Sequence, residues 1–451
     1  MTASVLRCIG LRVGGLALIV SALAGCGGDR PVAPTLGGPL FAKGAPSTNP
    51  TVTSATPSTA PRNITLDVVV AGSGFDQGSR AVWALNGDTT LATTKVKTNA
   101  TTYVSGKQLI ANITIAADAA IDLYDVQVVT LGGRKGIGIE LFAVTYEAID
   151  LGLGDGSTAE AINGAGQIVG GAVGVGAFLW ENGVVRSLGT LPGMTGSAAN
   201  DINRNGQVVG SSSNGNGIYR AFIWTAAGGM QPLAGSLGGC CTLARRINDQ
   251  GLILGEARLA GDSVTHTVVW ENGVMRDIHS LGAGNTFPWG LSNTGIAVGQ
   301  KDPQNGTFLW TNAGGMKILA GLEGPGDVPL GVNDAGQVVG WYKRTSTDVN
   351  KAFLWENGVI RDLGTLGGLS SVGTAINNFG QVVGRSEIAF RKGGSQNFRA
   401  FLWSSAEGMR DLGSLPNRDF AQANDINDAG IVVGRTFLTS GASRATLWKI
   451  N

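Results

Sequence analysis

One repeat dominates the C-terminal two-thirds of the chain. Residues 331–364, GVNDAGQVVG followed by a variable segment and AFLWENGVIRDLG, recur in related copies at intervals of roughly 40–48 residues. Each copy carries two tight-turn signals, Asn-x-x-Gly and Asn-Gly, between short apolar runs rich in Val, Ile, Phe and Trp. Seven such units of four short strands predict an all-β fold, a seven-bladed β-propeller. A tryptophan marks the seven copies, at Trp180, Trp224, Trp270, Trp310, Trp355, Trp403 and Trp448.

The order of strands predicts how the propeller closes. We label the strands of a repeat A (ending at Ile-Asn), B (GQVVG), C (AFLW) and D (VIRDLG). The repeat region begins with a D-type strand at residues 148–152 and ends with a C-type strand at residues 445–448. Pairing these two strands would close the ring by N-to-C strand exchange and remove two exposed sheet edges.

Charge argues against a nucleic-acid partner. The formal net charge is +1, only 14% of residues are charged, and no run of basic residues is present. Arg7 and Arg12 belong to a leader that we expect to be removed, which leaves the mature chain near −1. Nucleic-acid binding normally needs a basic patch, so we expect none.

The N-terminus has the pattern of an export signal. Arg7 and Arg12 precede an apolar run over residues 13–24, which is too short to span a bilayer core of ~30 Å. Residues 23–26, Leu-Ala-Gly-Cys, resemble the lipobox of bacterial lipoproteins. The resemblance implies cleavage after residue 25, acylation of Cys26 and membrane attachment through an N-terminal lipid. Gly27 follows the cysteine, and the resemblance then implies the outer membrane, with the protein facing the periplasm or the cell surface.

Two segments separate the lipid anchor from the repeats. Residues 26–62 are rich in Pro, Thr, Ser, Ala and Gly, which favours a flexible tether. Residues 63–146 show period-two alternation and predict a small β-sandwich. The stretches AGSGF at residues 71–75 and YDV at residues 124–126, before LGG at residues 131–133, resemble the immunoglobulin-like IPT/TIG domain. In that family the domain is mostly a spacer or contact module.

The repeats over residues 147–451 resemble the bacterial HAF repeat. The resemblance rests on DLGTLGG at residues 362–368, Ala-Ile-Asn at 375–377, GQVVG at 380–384 and AFLW at 400–403. The histidine of the HAF name is absent: Lys351, Arg220 and Arg399 precede three of the Ala-Phe pairs. The family is known chiefly as a predicted extracellular repeat, so the resemblance implies a location and no activity.

The loops of the predicted propeller differ between its two faces. The A–B and C–D turns are short and uniform, whereas the B–C and D–A loops vary in length, and we expect recognition on the variable-loop face. Aromatic side chains there suit sugar stacking or a protein contact, although packing beneath a loop is the alternative. Basic residues around one B–C loop, including Arg385 and Arg399, could meet an anion or be solvated. The candidate ligand-binding residues are Trp289, taken to open an A strand, Trp341, Tyr342, Arg391 and Lys392.

The other candidate chemistry is sparse. Cys240 and Cys241 are adjacent, which allows either a vicinal disulfide or two free thiols. Two histidines cannot form a multi-histidine metal site, and no HExxH, GxSxG, P-loop or EF-hand motif occurs, so we expect no metal, cofactor or identifiable catalytic residue. The repeated asparagine of Ile-Asn is expected to cap its own turn. Six carboxylates mostly lie in or beside the repeated turns, where solvated acids are expected: Asp155, Glu160, Asp201, Asp249, Asp334 and Asp428.

These features favour a lipid-anchored, non-enzymatic binding protein of the bacterial cell envelope, with a glycan or an envelope or surface protein as partner. Two alternatives remain open. A carbohydrate-active enzyme, such as a polysaccharide lyase or glycosidase, requires at least two convergent titratable groups in one pocket. A structural assembly protein requires a flat face with a large apolar patch.

Overall fold

The structure is a computed structural model that describes residues 48–88, 95–302, 306–324, 326–343, 348–388, 397–418 and 420–450. All regular elements in these ranges are strands, as the repeated hairpin pattern predicts. Cys26, Arg391 and Lys392 lie outside the described residues. No helix in the described part of the chain is long and apolar enough to cross a membrane.

Two four-stranded sheets precede the repeats. Their orders are β1-β3-β6-β5 and β2-β8-β7-β4. Alternating side chains of both sheets, such as Val68, Ile113, Trp83 and Phe142, are buried between them. The strands are β1 Thr51–Thr56, β2 Thr59–Pro61, β3 Ile64–Ser73, β4 Arg80–Leu85, β5 Val96–Ser105, β6 Gln108–Ile115, β7 Leu123–Val129 and β8 Lys135–Thr145.

The expected tether is wrong at its C-terminal end. Residues 51–61 lie within the segment predicted to be flexible, yet β1 pairs antiparallel with β3 and β2 pairs parallel with β8. Val52, Ala55 and Ala60 are buried in the shared core. Threonine favours strands, and three small apolar side chains are enough for an edge strand that covers an existing core.

The repeats form a β-propeller of four-stranded sheets with the strand order A, B, C and D, and in all but the last sheet these four strands are consecutive in the chain. We call them repeat sheets 1 to 7 in chain order. Sheets 1 to 3 contain β10 Ser157–Ile162, β11 Ile168–Ala172, β12 Gly176–Glu181 and β13 Val184–Ser187; β14 Gly196–Ile202, β15 Val208–Ser213, β16 Tyr219–Thr225 and β17 Gly229–Pro232; β18 Gly238–Ile247, β19 Ile253–Leu259, β20 Thr265–Glu271 and β21 Val274–Asp277.

Sheets 4 to 6 repeat this order, with β22 Asn285–Leu291, β23 Ala297–Asp302, β24 Gly306–Thr311 and β25 Gly315–Ile318; β26 Val328–Val332, β27 Val338–Tyr342, β28 Lys351–Glu356 and β29 Val359–Asp362; β30 Gly367–Ile376, β31 Val382–Ile388, β32 Phe398–Ser404 and β33 Gly408–Asp411. Sheet 7 consists of β34 Phe420–Ile426, β35 Ile431–Phe437, β36 Ser443–Lys449 and β9 Ala148–Asp150.

The predicted strand exchange is present in sheet 7. β9 comes from the start of the repeat region and pairs antiparallel with β36 from its end, with Ile149 opposite Leu447. Each sheet contacts the next, and β34 and β35 of sheet 7 contact β10 of sheet 1. The core lies between neighbouring sheets, where one phenylalanine of most C strands is fully buried. The strand exchange therefore joins the two ends of the repeat array.

Candidate functional site

A cavity of about 420 Å³ lies where the A strands of all seven repeat sheets meet. Equivalent residues of each sheet contribute to its wall, so it lies on the common axis of the sheets. The lining comes from the last residues of each A strand and from the A–B turn that follows. The cavity is therefore on the side of the short, uniform turns and not among the variable loops.

A β-bulge shapes the cavity wall in every sheet. Each A strand has one extra residue relative to its B strand, as between Ala199 and Asp201 in β14. A bulge breaks the alternation of side chains and redirects them. The bulged residues are Glu160, Asn200, Arg245, Trp289, Leu330, Thr374 and Asn424.

The position after the bulge, which we call the axial position, concentrates charge on one side of the cavity. It is glycine or alanine in four sheets and charged in three, and all seven of these residues lie in the cavity wall. The axial residues of sheets 1 to 7 are Ala161, Asp201, Arg246, Gly290, Gly331, Ala375 and Asp425. Glu160, at the bulge of sheet 1, lies between the two axial aspartates in the order of the sheets. The site thus combines three carboxyl groups with the Arg246 guanidinium.

The two axial aspartates make the same contacts. Asp201 accepts a hydrogen bond at Oδ2 from the backbone N–H of Ile247 in the next sheet, at 2.8 Å, and one at Oδ1 from its neighbour Ile202, at 2.9 Å. Asp425 accepts from Ile162 of sheet 1 and from Ile426, both at 2.9 Å. Each carboxyl group is therefore held in place by two backbone donors while it faces the cavity.

Burial changes the protonation of these carboxyl groups. It raises the pKa of Asp425 to about 7, and the negative charge of Asp201 raises this pKa further. The hydrogen bond from Ile162 and the charge of Arg246 lower it by less. Burial likewise raises the pKa of Asp201 to about 6, opposed mainly by Arg246. The pKa of Glu160 is also raised by burial, against the Arg435 and Arg246 charges. Near neutral pH the site can therefore hold a proton as well as negative charge.

A chain of asparagine amides surrounds the turn side of the cavity. Asn163 Oδ1 accepts from the backbone of its own turn, from Ala165 at 3.1 Å and Gln167 at 3.0 Å, so the predicted turn cap is confirmed. Its Nδ2 also donates to the Asn203 carbonyl of the next repeat, at 3.0 Å. Corresponding links between repeats start at Asn203, Asn248, Asn333, Asn377 and Asn427, and the last one returns to the Asn163 carbonyl.

Sheet 4 departs from this pattern. The sequence predicts Asn293 as its repeated asparagine, but the structure places Ser292 there, because Ser292 makes the backbone bond to Ile296 that closes the turn. Asn293 is one position later and accepts from the backbone N–H of Asp249 at 2.9 Å. The Leu-Ser-Asn sequence hides a shift of one residue, and the prediction for sheet 4 is wrong.

The acidic residues of the turns also bond to neighbouring sheets. Asp249 accepts from the Arg204 N–H at 2.9 Å and Asp334 accepts from the Asn293 N–H at 2.7 Å. Asp428 accepts from the Asn378 N–H at 2.9 Å. Glu160 and Asp201 lie in A strands and line the cavity wall, so the expectation of solvated turn acids is wrong for these two. Asp249, Asp334 and Asp428 lie in the turns at the cavity mouth, and Asp428 is exposed, as expected of turn acids.

Trp289 lies at a different place from the one predicted. Trp289 is the fifth residue of β22 and forms the bulge of that strand, so it does not open the strand. The residues at the same position in other sheets include Asn200, Leu330 and Thr374. The Arg245 guanidinium lies 5.4 Å from the centre of its ring. Trp289 adjoins the cavity through its neighbour Gly290 and is not part of the cavity lining.

Trp341 and Tyr342 end strand β27. Tyr342 packs edge-to-face on Phe353, with 6.2 Å between ring centres, and its hydroxyl donates to Asp362 at 3.2 Å. This contact fits the packing alternative for Tyr342. The structure does not bring Trp341 and Tyr342 together with Trp289 at the cavity, whose described lining contains none of the three.

Cys240 and Cys241 are joined as a vicinal disulfide near the start of β18. The backbone N–H of Cys240 donates to Asp262 at 2.7 Å, and Cys241 is buried. The disulfide lies at the end of the A strand remote from the cavity. Within the described residues, no group of three or more His, Cys, Asp or Glu side chains is arranged to hold a metal ion.

Sequence reasoning missed Asp425 and gave Arg246 no role. A detectable signal was present, since these two residues and Asp201 are charged where the other repeats have glycine or alanine before the Ile-Asn pair. A charged side chain where the other repeats have glycine or alanine is not needed for the repeat to fold. In a closed ring, such departures in neighbouring repeats come together on the axis.

Comparison with known proteins adds no family. No family model matches the chain, and no curated protein matches it. Among solved structures, it is similar to virginiamycin B lyase from Staphylococcus aureus, with 12% identity over 68% of this chain and 99% of that one and a TM-score of 0.46. A putative TolB from Agrobacterium tumefaciens has 14% identity over 59% of this chain and 94% of that one, with a TM-score of 0.38. A gluconolactonase from Xanthomonas campestris has 12% identity over 67% of this chain and 89% of that one, with a TM-score of 0.34.

Proposed function

We propose that this chain is a bacterial envelope lipoprotein whose seven-bladed propeller binds a small polar ligand in its axial cavity. The lipobox-like sequence at Cys26 supports the lipid anchor and the outer-membrane location, with residues 1–25 as the leader and a tether up to about residue 50. The two sheets from Thr51 onward support an immunoglobulin-like sandwich of the IPT/TIG kind. The repeats from residue 147 support a HAF-like propeller with β9 as the last strand of its seventh blade.

The charge of the cavity carries the proposal for the ligand. Among the described lining residues, six carboxyl groups face two arginines, Arg204 and Arg246. Such an excess favours a ligand with a positive charge, because like charges without a counter-charge repel one another. A cavity of about 420 Å³ is within the usual size for small-molecule sites. A polar ligand with hydroxyl and amino groups, such as an amino sugar, fits both properties.

This proposal moves the binding site away from the variable-loop face. The carboxyl groups of Asp201 and Asp425 are held by backbone donors of their own sheet and of the next one, whereas Tyr342 already has packing and hydrogen-bond partners. Preorganised groups on rigid elements bind with a smaller loss of conformational entropy than loop side chains. A glycan therefore remains the preferred partner class, with its amine directed at Asp201 and Asp425.

The test is calorimetric titration of the full-length protein in detergent with glucosamine and with glucose at pH 7.5. We expect glucosamine to bind at least tenfold more tightly, because only glucosamine carries an amine. The double variant Asp201→Asn/Asp425→Asn should lose this preference. The matched control Asp67→Asn removes an exposed carboxylate of the sandwich and should retain it. Equal affinities for the two sugars would refute the amine-binding proposal.

Acid–base catalysis at the same cavity is a second candidate. It is favoured by the raised pKa values of Asp201, about 6, and Asp425, about 7, because two carboxyl groups with different pKa values can act as base and acid. A glycosidase or lyase would release reducing ends from amino-sugar oligomers, and Asp425→Asn would abolish this release. Binding of the oligomers without release of reducing ends would contradict the enzyme candidate and favour the binding function.

A further inference from the structure

Two arginines occupy equivalent positions in neighbouring sheets, close to the cavity. Arg385 in β31 and Arg435 in β35 each follow the glycine that ends the Val-Val-Gly stretch of a B strand. Arg435 lies directly opposite Gln422 of the A strand β34. Gln422 donates from Nε2 to Asn424 at 2.9 Å, and Asn424 lies in the cavity wall. The two arginines therefore adjoin the axial cavity on the side away from the turns.

The guanidinium groups are held by aromatic rings and one amide. Arg385 lies 5.5 Å from the centre of the Phe398 ring and donates from Nη1 to Gln422 Oε1 at 3.2 Å. Arg435 lies 5.6 Å from the centre of the Phe437 ring, which stacks on Phe420. Contact with a ring occupies the face of a guanidinium and leaves its N–H edge for hydrogen bonds.

The two arginines have no direct carboxylate partner in the described part of the chain. Neither guanidinium forms an ion pair with a carboxylate of the described residues. The Nε of Arg435 is buried without a hydrogen-bond partner there. Burial, together with the Arg435 charge, lowers the pKa of Arg385. Glu160 is near enough to interact with the Arg435 charge, which lowers the pKa of Glu160, but burial is the larger effect and raises that pKa.

We propose that Arg385 and Arg435 form a binding site for an oxyanion, with Gln422 between them. An anion would supply a counter-charge and accept from the N–H edges of the two guanidinium groups. Guanidinium groups suit planar or tetrahedral oxyanions because two parallel N–H donors can bind two oxygens. The shared chemistry is that of a carboxylate, as in a sugar acid, or of a phosphate group. The site is separate from the proposed amine site, since it uses none of the axial residues.

The test measures thermal unfolding and calorimetric binding of the full-length protein with inorganic phosphate and with glucuronate, at constant ionic strength maintained with sodium chloride. Wild-type protein should bind at least one of the two anions and unfold at a higher temperature in its presence. Arg385→Gln and Arg435→Gln should each weaken binding at least tenfold. Arg361→Gln is the matched control, because Arg361 also stacks on an aromatic ring, that of Trp403, outside the proposed site.

The outcomes separate the sources and the two proposals. Tighter binding of phosphate indicates a phosphate ligand, and tighter binding of glucuronate indicates a sugar acid. Binding of neither anion, or binding that survives both arginine substitutions, would overturn the site. If Arg435→Gln does not fold, Arg385→Gln gives the same test from the other guanidinium. Asp425→Asn should leave anion binding intact while it weakens amine binding, so failure of one proposal does not imply failure of the other.

Discussion

Stability should fall with rising pH because Asp425 keeps its proton in the folded protein. Its pKa is about 7 when folded, against 3.8 for an ordinary aspartate, and burial is the main cause. Between these two pH values the folded state binds a proton that the unfolded state has lost. The contribution of Asp425 to stability is therefore greatest below pH 3.8 and is lost as pH rises towards 7.

The size of this effect follows from the two pKa values. Since one pKa unit corresponds to about 1.4 kcal/mol, the full loss is about 4 kcal/mol, and more than half of it falls between pH 5 and pH 8. Asp425→Asn removes the titration. It also leaves one of the backbone N–H groups of Ile162 and Ile426 without an acceptor, at a cost of about 1–3 kcal/mol that does not vary with pH.

Urea unfolding followed by tryptophan fluorescence at pH 5, 6, 7 and 8 would test this. We expect the variant to be less stable than wild type at pH 5, and the difference in unfolding free energy to move by about 2–3 kcal/mol in favour of the variant by pH 8. Asp67→Asn serves as the control and should keep the wild-type slope, because Asp67 is exposed in the sandwich. Identical slopes for wild type and Asp425→Asn would refute a raised pKa at this position.

Three further substitutions test the closure of the ring. Asn427→Ala removes the amide link to sheet 1 and the cap of its own turn, and should lower the unfolding free energy by about 2–3 kcal/mol in urea titrations. Ser292→Asn supplies the missing amide link to the next repeat and should raise the unfolding free energy by about 1 kcal/mol. A lower unfolding free energy would show that sheet 4 cannot accept the amide. Ile149→Pro removes a backbone donor from β9 opposite Leu447 and should cost about 3 kcal/mol; an unchanged melting temperature would show that the strand exchange is dispensable.

The repetitive part of the fold is readable from sequence because repetition averages out local errors. The position of one strand is uncertain, but seven copies define the order A, B, C and D and show which strand is missing at each end. The pairing of β9 with β36 follows from that count. Strand exchange is thus predictable even though the two strands are almost 300 residues apart in the chain.

The residues around the axis were harder to predict, because a bulge changes the alternation without changing the composition. The bulge in β22 consists of Trp289, which the sequence pattern places at the start of the strand. In the same sheet Ser292, and not Asn293, makes the backbone hydrogen bond that closes the turn. Glu160 and Asp201 read as turn acids because they precede turns in the chain. These residues come together only in the closed ring, because the A strand of every sheet lies next to the central axis.

The residues on the two sides of the axis have different roles. Sheets 4 to 6 approach closely there: a Cβ added to Gly290 would lie 3.1 Å from the Gly331 Cα, and one on Gly331 would lie 3.2 Å from the Ala375 Cα. Small axial residues are therefore a packing requirement on that side. On the opposite side the axial position accommodates Asp425, Asp201 and Arg246, although burying carboxyl groups costs free energy that alanine would avoid. A ring that needed only to close would not require those charges, which is why we assign them to a ligand.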